Sequence, residues 1–240
     1  MRWTPKHCRN QVQNMVDALM TTQVAVDRQM PIVRSSAGGF SRVTWPTNLE
    51  ADNRRRFFED FYAVETYFGW LTARQYSAVL FDGSLLQITF DFRNGELAAH
   101  RLAYIPCPFD IEEEGADRLR MEPIIDVIDG YRDRGEEYLR LRSPVRFDYD
   151  PAAASSEHPA SHFTLNHQDC RIPVCAPLTL EQFIEFVFLR FYPEVWAKQD
   201  FLADVEPRLW RREIAVEHER SLHLNWRADP ACIGVVEGLR

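Results

Sequence analysis

The chain has 240 residues, 45% apolar and 12% aromatic, which is enough to bury a sizeable core. A formal charge of −8 excludes a generally basic nucleic-acid coat, while leaving room for a local positive face. The five cysteines form no C-x-x-C pair and no apolar stretch is long enough for a signal peptide or a membrane span, so a reducing cytoplasm and no membrane contact are expected.

Val12, Met15, Val16 and Leu19 recur at helical spacing and predict an amphipathic helix over about Asn10 to Arg28, broken by Pro31 and Gly38-Gly39. A second helix is predicted from Thr47, which with Glu50 makes a capping-box pattern, through Phe57, Phe61, Val64 and Phe68. Arg54, Arg55 and Arg56 fall on its solvated face. From Tyr76 the period shifts to two. Leu86, Ile88, Phe90 and Phe92 alternate with Gln87, Thr89 and Asp91, as in a half-buried strand between the turn signals Asp82-Gly83 and Asn94-Gly95. A further strand, Glu96 to Ile105, completes an antiparallel meander, which excludes a nucleotide-binding βαβ unit.

An acidic linker, Asp110 to Asp117, leads into a helical or irregular stretch up to Gly135; Glu112, Glu113 and Glu114 read as a solvated run. The next strand is predicted over Glu137 to Tyr149, with Leu139, Leu141, Val145, Phe147 and Tyr149 on one face and Arg140, Arg142, Arg146, Asp148 and Asp150 on the other. Beyond the Pro151-to-Ser156 loop, His162, Thr164 and Asn166 alternate with Phe163 and Leu165, again as a strand. A turn at Gln168-Asp169 leads to Arg171 to Val174. Thr179 then caps a helix with Gln182 at the capping-box position and Leu180, Phe183, Ile184, Val187, Phe188 and Phe191 along its apolar face. Val205 to Glu219 is predicted helical, and Leu222, Leu224 and Trp226 a short final strand. The whole reads as one α+β domain over 1–240: an antiparallel sheet of about five to seven strands packed against helices, with a central apolar helix near 179–192. Residues 1–72 form a mainly helical N-terminal part and 193–240 a C-terminal extension.

The candidate site is the polar face of the Arg146 strand. Antiparallel pairing brings Arg146 and Asp148 beside His162 and Thr164, with His158 at the loop end. Arg146 as phosphate clamp, His158 and His162 as acid and base, and Asp148 to orient one of them would suit metal-independent cleavage of a phosphodiester. The competing reading is a structural network in which Asp148 pairs with Arg146. A metal set of His158, His162 and Asp148 or Asp150 needs a helix for its H-x-x-x-H spacing, and Pro159 with the alternation after it argues for a strand, so neither metal nor cofactor is expected. There is no G-x-x-x-x-G-K-[ST], G-x-G-x-x-G or G-x-S-x-G motif. Trp45, Trp70, Trp196, Trp210 and Trp226 could stack bases only where exposed, and Cys170 and Cys175 are expected to pack.

Three stretches carry a resemblance: Asp82 to Gln87 leading into His100 to Pro106, Arg142 to Asp148, and His158 to His162 with Cys170 to Val174. Together they resemble a bacterial family classed as a domain of unknown function. A second likeness, carried by Asp82, Gly83, Ser84, Arg146, Asp148 and His162, is to TumE-like toxins of bacterial toxin–antitoxin pairs. This chain differs from them in length at both ends and in the insertion before its histidines. The likeness implies a phage-defence or toxin-type protein that acts on or binds RNA or single-stranded DNA. The alternative is a non-catalytic subunit with a protein partner in a hetero-complex.

Overall fold

The computed structural model describes residues 4–48, 64–165, 167, 169–200, 210 and 212–226. Helix α1, Pro5–Thr21, starts where the Thr4 hydroxyl accepts the His7 amide and Pro5 takes the first helical position. It buries Cys8, Val12, Met15, Val16 and Leu19, the expected stripe. It ends at Thr21 rather than Arg28, because the Thr22 hydroxyl donates back to the Ala18 carbonyl and Gln23 turns left-handed at φ 60°. The chain beyond becomes strand β1, Ala25–Arg28. The expected breakers flank a hairpin, β2 (Ile32–Ser36) and β3 (Phe40–Thr44), with Gly38 and Gly39 at φ 75° and 70° in its turn. Among its described residues the N-terminal part therefore supplies three strands beside its helices. The helix predicted from Thr47 is seen at its far end as α2, Val64–Thr72; Glu50, Arg54, Arg55, Arg56, Phe57 and Phe61 lie outside the described residues.

Strands β4 (Ala78–Leu80), β5 (Leu85–Arg93) and β6 (Glu96–Ile105) form the expected meander through the Asp82-Gly83 and Asn94-Gly95 turns. Helices α3 (Glu113–Arg118) and α4 (Ile124–Arg134) follow. Strand β7 covers only Val145–Tyr149, shorter than predicted. Pro144 has no amide for the ladder, and ahead of it Leu141 is 98% exposed while Arg140 and Arg142 turn to Asp110. Strands β8 (Ser161–Leu165) and β9 (Arg171–Pro173) complete the sheet, and α5 (Leu180–Phe191) carries the full capping box of Thr179 and Gln182. Asn166 and Gln168 lie outside the described residues. Short helices α6 (Pro193–Trp196) and α7 (Val216–Glu219) come last. Of the helix predicted over Val205 to Glu219, only α7 is seen among the described residues, and the predicted final strand is a single parallel bridge from Leu224 to Val174.

The fold is α+β, with an antiparallel sheet of nine strands ordered β1-β4-β5-β6-β7-β8-β9; the β2-β3 hairpin joins through β3, which pairs with β5. The three N-terminal strands account for the excess over five to seven. Period-two alternation sorts the strands into two faces. On one, Ile88, Phe90, Leu102, Val145 and Phe147 pack with the apolar stripes of α1 and α5 into the larger core. The other face is apolar only at its Leu85–Ile105 end, where Tyr67 and Trp70 of α2 and Val127, Ile128 and Tyr131 of α4 cover it. The rest of that face is polar. No described helix is long and apolar enough to cross a membrane.

Candidate functional site

The polar face is built as two adjacent rows running across the sheet. Thr89, Arg101, Asp148, His162 and Pro173 are successive partners from β5 to β9, and beside them run Gln87, Ala103, Arg146, Thr164 and Arg171. This face is not half-solvated, as the alternation of β5 suggested. Gln87 is 2% exposed, Thr89 4% and Asp91 9%. Each meets a partner instead of water: the Gln87 amide donates to the Gln75 carbonyl, Thr89 meets the Thr44 hydroxyl, and Arg42 grips Asp91 through two hydrogen bonds of 2.6 Å.

The predicted quartet does come together. Arg146 Nε donates to Asp148 Oδ2 at 2.5 Å, and His162 Nε2 lies 3.5 Å from the same oxygen. His158 reaches the group from the loop, its ring 4.8 Å from that of His162. The loop sets this contact. Asp150 accepts the Ala152 amide to make a 3-10 turn, the Ser155 hydroxyl accepts the His158 amide, and His158 Nδ1 donates to the Ala153 carbonyl. Asp150 thus caps its own loop and stands apart from the other four.

The site is closed. Arg146, Asp148 and His162 are 7%, 5% and 2% exposed, and Asp148 is shared, since Arg101 Nε donates to its other oxygen at 2.8 Å. Burial opposes the Asp148 charge, but Arg101, Arg146 and His162 together hold its carboxyl well below the usual carboxylate range. Arg146 is lowered from the ordinary arginine value by burial first, then by the like charges of Arg101 and Arg171. His162 is pulled down to about 4 by burial, which outweighs the attraction of Asp148. At neutral pH His162 is therefore uncharged. Because a carbonyl can only accept, the proton of that ring sits on Nδ1, donated to Pro159 at 2.9 Å. Its Nε2 lone pair then faces a carboxylate with no proton between them. A histidine so placed carries no proton on Nε2 to give, and that nitrogen points at an anion rather than at open space.

Two residues absent from the predicted quartet complete the site, Arg101 and Arg171. The signal for Arg101 was hidden by a bulge. Counting from the Asn94-Gly95 turn pairs Arg93 with Glu96 and Phe92 with Leu97, but the register then slips, so that Asp91 meets Ala99 and Thr89 meets Arg101. Without that slip His100 would stand on the polar face. In the fold His100 is buried in the core against Phe90 and Tyr149, its Nε2 accepts the Leu178 amide at the approach to α5, and burial takes it down to about 4. Among the described residues no group of three His, Cys, Asp or Glu side chains is placed to hold a metal ion. Trp45 and Trp70 are core residues, whereas Cys170, expected to pack, is exposed and Cys175 is buried.

Residues 24–226 match the family model described as "Uncharacterized conserved protein (DUF2290)". Neither a curated protein nor a solved structure matches the chain.

Proposed function

We propose, since the chain belongs to the DUF2290 family of uncharacterized conserved proteins and that family brings no activity with it, that the polar sheet face binds a nucleic-acid strand through phosphate, in a toxin- or defence-type setting, and does not cut it. The observation that carries this reading is a cluster of arginines on one sheet face of an acidic protein. Arg101 and Arg146 both pair with the buried carboxylate of Asp148, Arg171 lies two strands on in the same row as Arg146 and pairs with Asp169, and the Arg101 side chain remains 34% exposed as a point of contact. Against cleavage stands the state of His162, neutral and turned to Asp148. Arg146 and Asp148 then act as a fixed base under the contact surface, and His158 and His162 support the loop beside it.

The test is one incubation read in two ways. Labelled RNA or single-stranded DNA is mixed with the full chain in EDTA, with fluorescence anisotropy for binding and a denaturing gel for products. Binding without products is expected, with affinity lowered several-fold by Arg101→Gln. Products that disappear in His162→Ala would restore the nuclease reading, and no binding of either strand would overturn the proposal.

A second reading is supported by the opposite face. A groove of about 690 Å³ runs beside α5, lined by Phe147, Phe163, Phe186, Leu189, Leu224 and Trp226. Aromatic and leucine side chains in a groove of that size suit an apolar segment of a partner protein, as in an accessory subunit. A stoichiometric partner co-purified with the wild-type chain and lost in Phe186→Asp is the expected result for that role; a chain that purifies alone and binds nucleic acid rejects it.

A further inference from the structure

We propose that Arg146, Thr164 and Arg171 form a seat for the terminal phosphate of a nucleic-acid strand, an inference that takes its ligand from the nucleic-acid reading above. The three residues are direct partners across β7, β8 and β9, so a guanidinium, a hydroxyl and a second guanidinium stand in one line on one face. Their neighbour in β6 is Ala103, which is buried in the apolar cluster under α2 and α4 and closes the row at that end.

Two donors in this row lack acceptors. Thr164 is completely buried and its Oγ1 makes no hydrogen bond, and the same is true of the buried Nε of Arg171, among the described residues. Native interiors almost always satisfy such atoms, and a water or ion is the usual partner where the protein supplies none. The Arg171 Nε can only donate and the Thr164 hydroxyl can donate, so one acceptor would serve both. The nearby carboxylates do not fill the place. Asp148 spans Arg101 and Arg146, and Asp169, 3.4 Å from a terminal nitrogen of Arg171, is 65% exposed and largely hydrated. An oxyanion would accept from the hydroxyl and from both guanidiniums at once.

Burial narrows the ligand to an end group. A strand running across the sheet has its phosphates flanked by sugars on both sides and cannot bring one down to a hydroxyl with no exposed surface. A terminal phosphate has three unencumbered oxygens and up to two charges. It can enter from the β9 edge, where the Arg171 side chain is 26% exposed.

The experiment uses the full chain at fixed ionic strength with four probes: inorganic phosphate, and one oligoribonucleotide carrying a 5′-phosphate, a 3′-phosphate or hydroxyl ends. One phosphorylated end is expected to bind about tenfold tighter than the hydroxyl-ended strand, the size of one charge-assisted hydrogen bond at the low end of its range. Thr164→Val should abolish that preference while leaving the unliganded melting temperature unchanged or higher, since it deletes an unsatisfied hydroxyl. Arg171→Gln should abolish the preference as well. Equal affinity for phosphate and hydroxyl ends, or a preference that survives Thr164→Val, overturns the seat and leaves nucleic-acid binding standing. Saturable inorganic phosphate binding that Thr164→Val removes, with no strand bound, supports the seat and overturns its nucleic-acid bearer. Phosphate acting no differently from chloride assigns these donors to a buried water and overturns the proposal.

Discussion

Phe147 and Asp148 are neighbours on β7, hidden to the same degree at 3% and 5% exposure, and they are held by different physics. Phe147 lies among Phe163, Phe183, Phe186 and Trp226, where any apolar group of similar shape would keep most of the burial energy. Asp148 lies between two guanidiniums and an imidazole, where only a carboxylate balances the charge. Both sides of one strand are interior, but the apolar side tolerates approximation and the polar side requires particular partners. On the polar side two buried atoms, Thr164 Oγ1 and Arg171 Nε, have no hydrogen-bond partner among the described residues.

The largest effects should come from cutting each face at its centre. Phe147→Ala is expected to cost about 3–5 kcal/mol through lost burial and a cavity. Asp148→Ala should cost as much, about 3–5 kcal/mol, because Arg146 is left buried beside two like charges. Urea unfolding of the two variants measures this; an Asp148→Ala cost below about 1 kcal/mol would mean that water enters the polar face and that the two faces are not equivalent interiors.

Acid should separate the faces differently, because each hides one neutral histidine. His100 and His162 both fall to about 4 in the fold, below the ordinary value near 6.5 in the unfolded chain. The unfolded state therefore binds more protons between these values, so stability is complete above about pH 6.5 and falls as pH drops toward 4, by up to about 3 kcal/mol for each histidine. Asp148, held low, extends the loss below the ordinary carboxylate range. Chemical denaturation across this window should show the slope reduced by about half in His100→Gln; a flat profile between pH 6.5 and 4 contradicts the burial of both rings.

The smallest effect expected is at the entry to α5. Thr179→Ala removes one half of the capping box and should cost about 1 kcal/mol by thermal unfolding, with the polar face and any strand binding unchanged.

Legibility from the sequence followed the same division. The stripes of α1 and α5, the turns at Asp82-Gly83 and Asn94-Gly95 and the limits of β6 were all readable, because each is fixed by local periodicity or turn chemistry. The convergence of Arg146, Asp148, His158 and His162 was readable too, since β7 and β8 are close in sequence and alternate cleanly. Strands β1 to β3 were hidden because Gln23 ends a helix without glycine, and a Gly-Gly pair marks a hairpin as well as it marks a break. Arg101 was hidden by a one-residue bulge that only tertiary pairing reveals. Arg171 was in view as a neighbour of Cys170, but its row with Thr164 and Arg146 depends on a register that the turn before it does not specify.

The function proposed for the polar face is that its arginines hold phosphate. The salt dependence of single-stranded RNA affinity tests it most directly, measured for the wild-type chain, Arg101→Gln and Arg171→Gln. The slope of log affinity against log salt should become shallower by about 1 for each arginine removed, with weaker binding at every salt concentration. A slope and affinity identical in all three proteins would contradict the claim and leave the polar face as a structural layer alone.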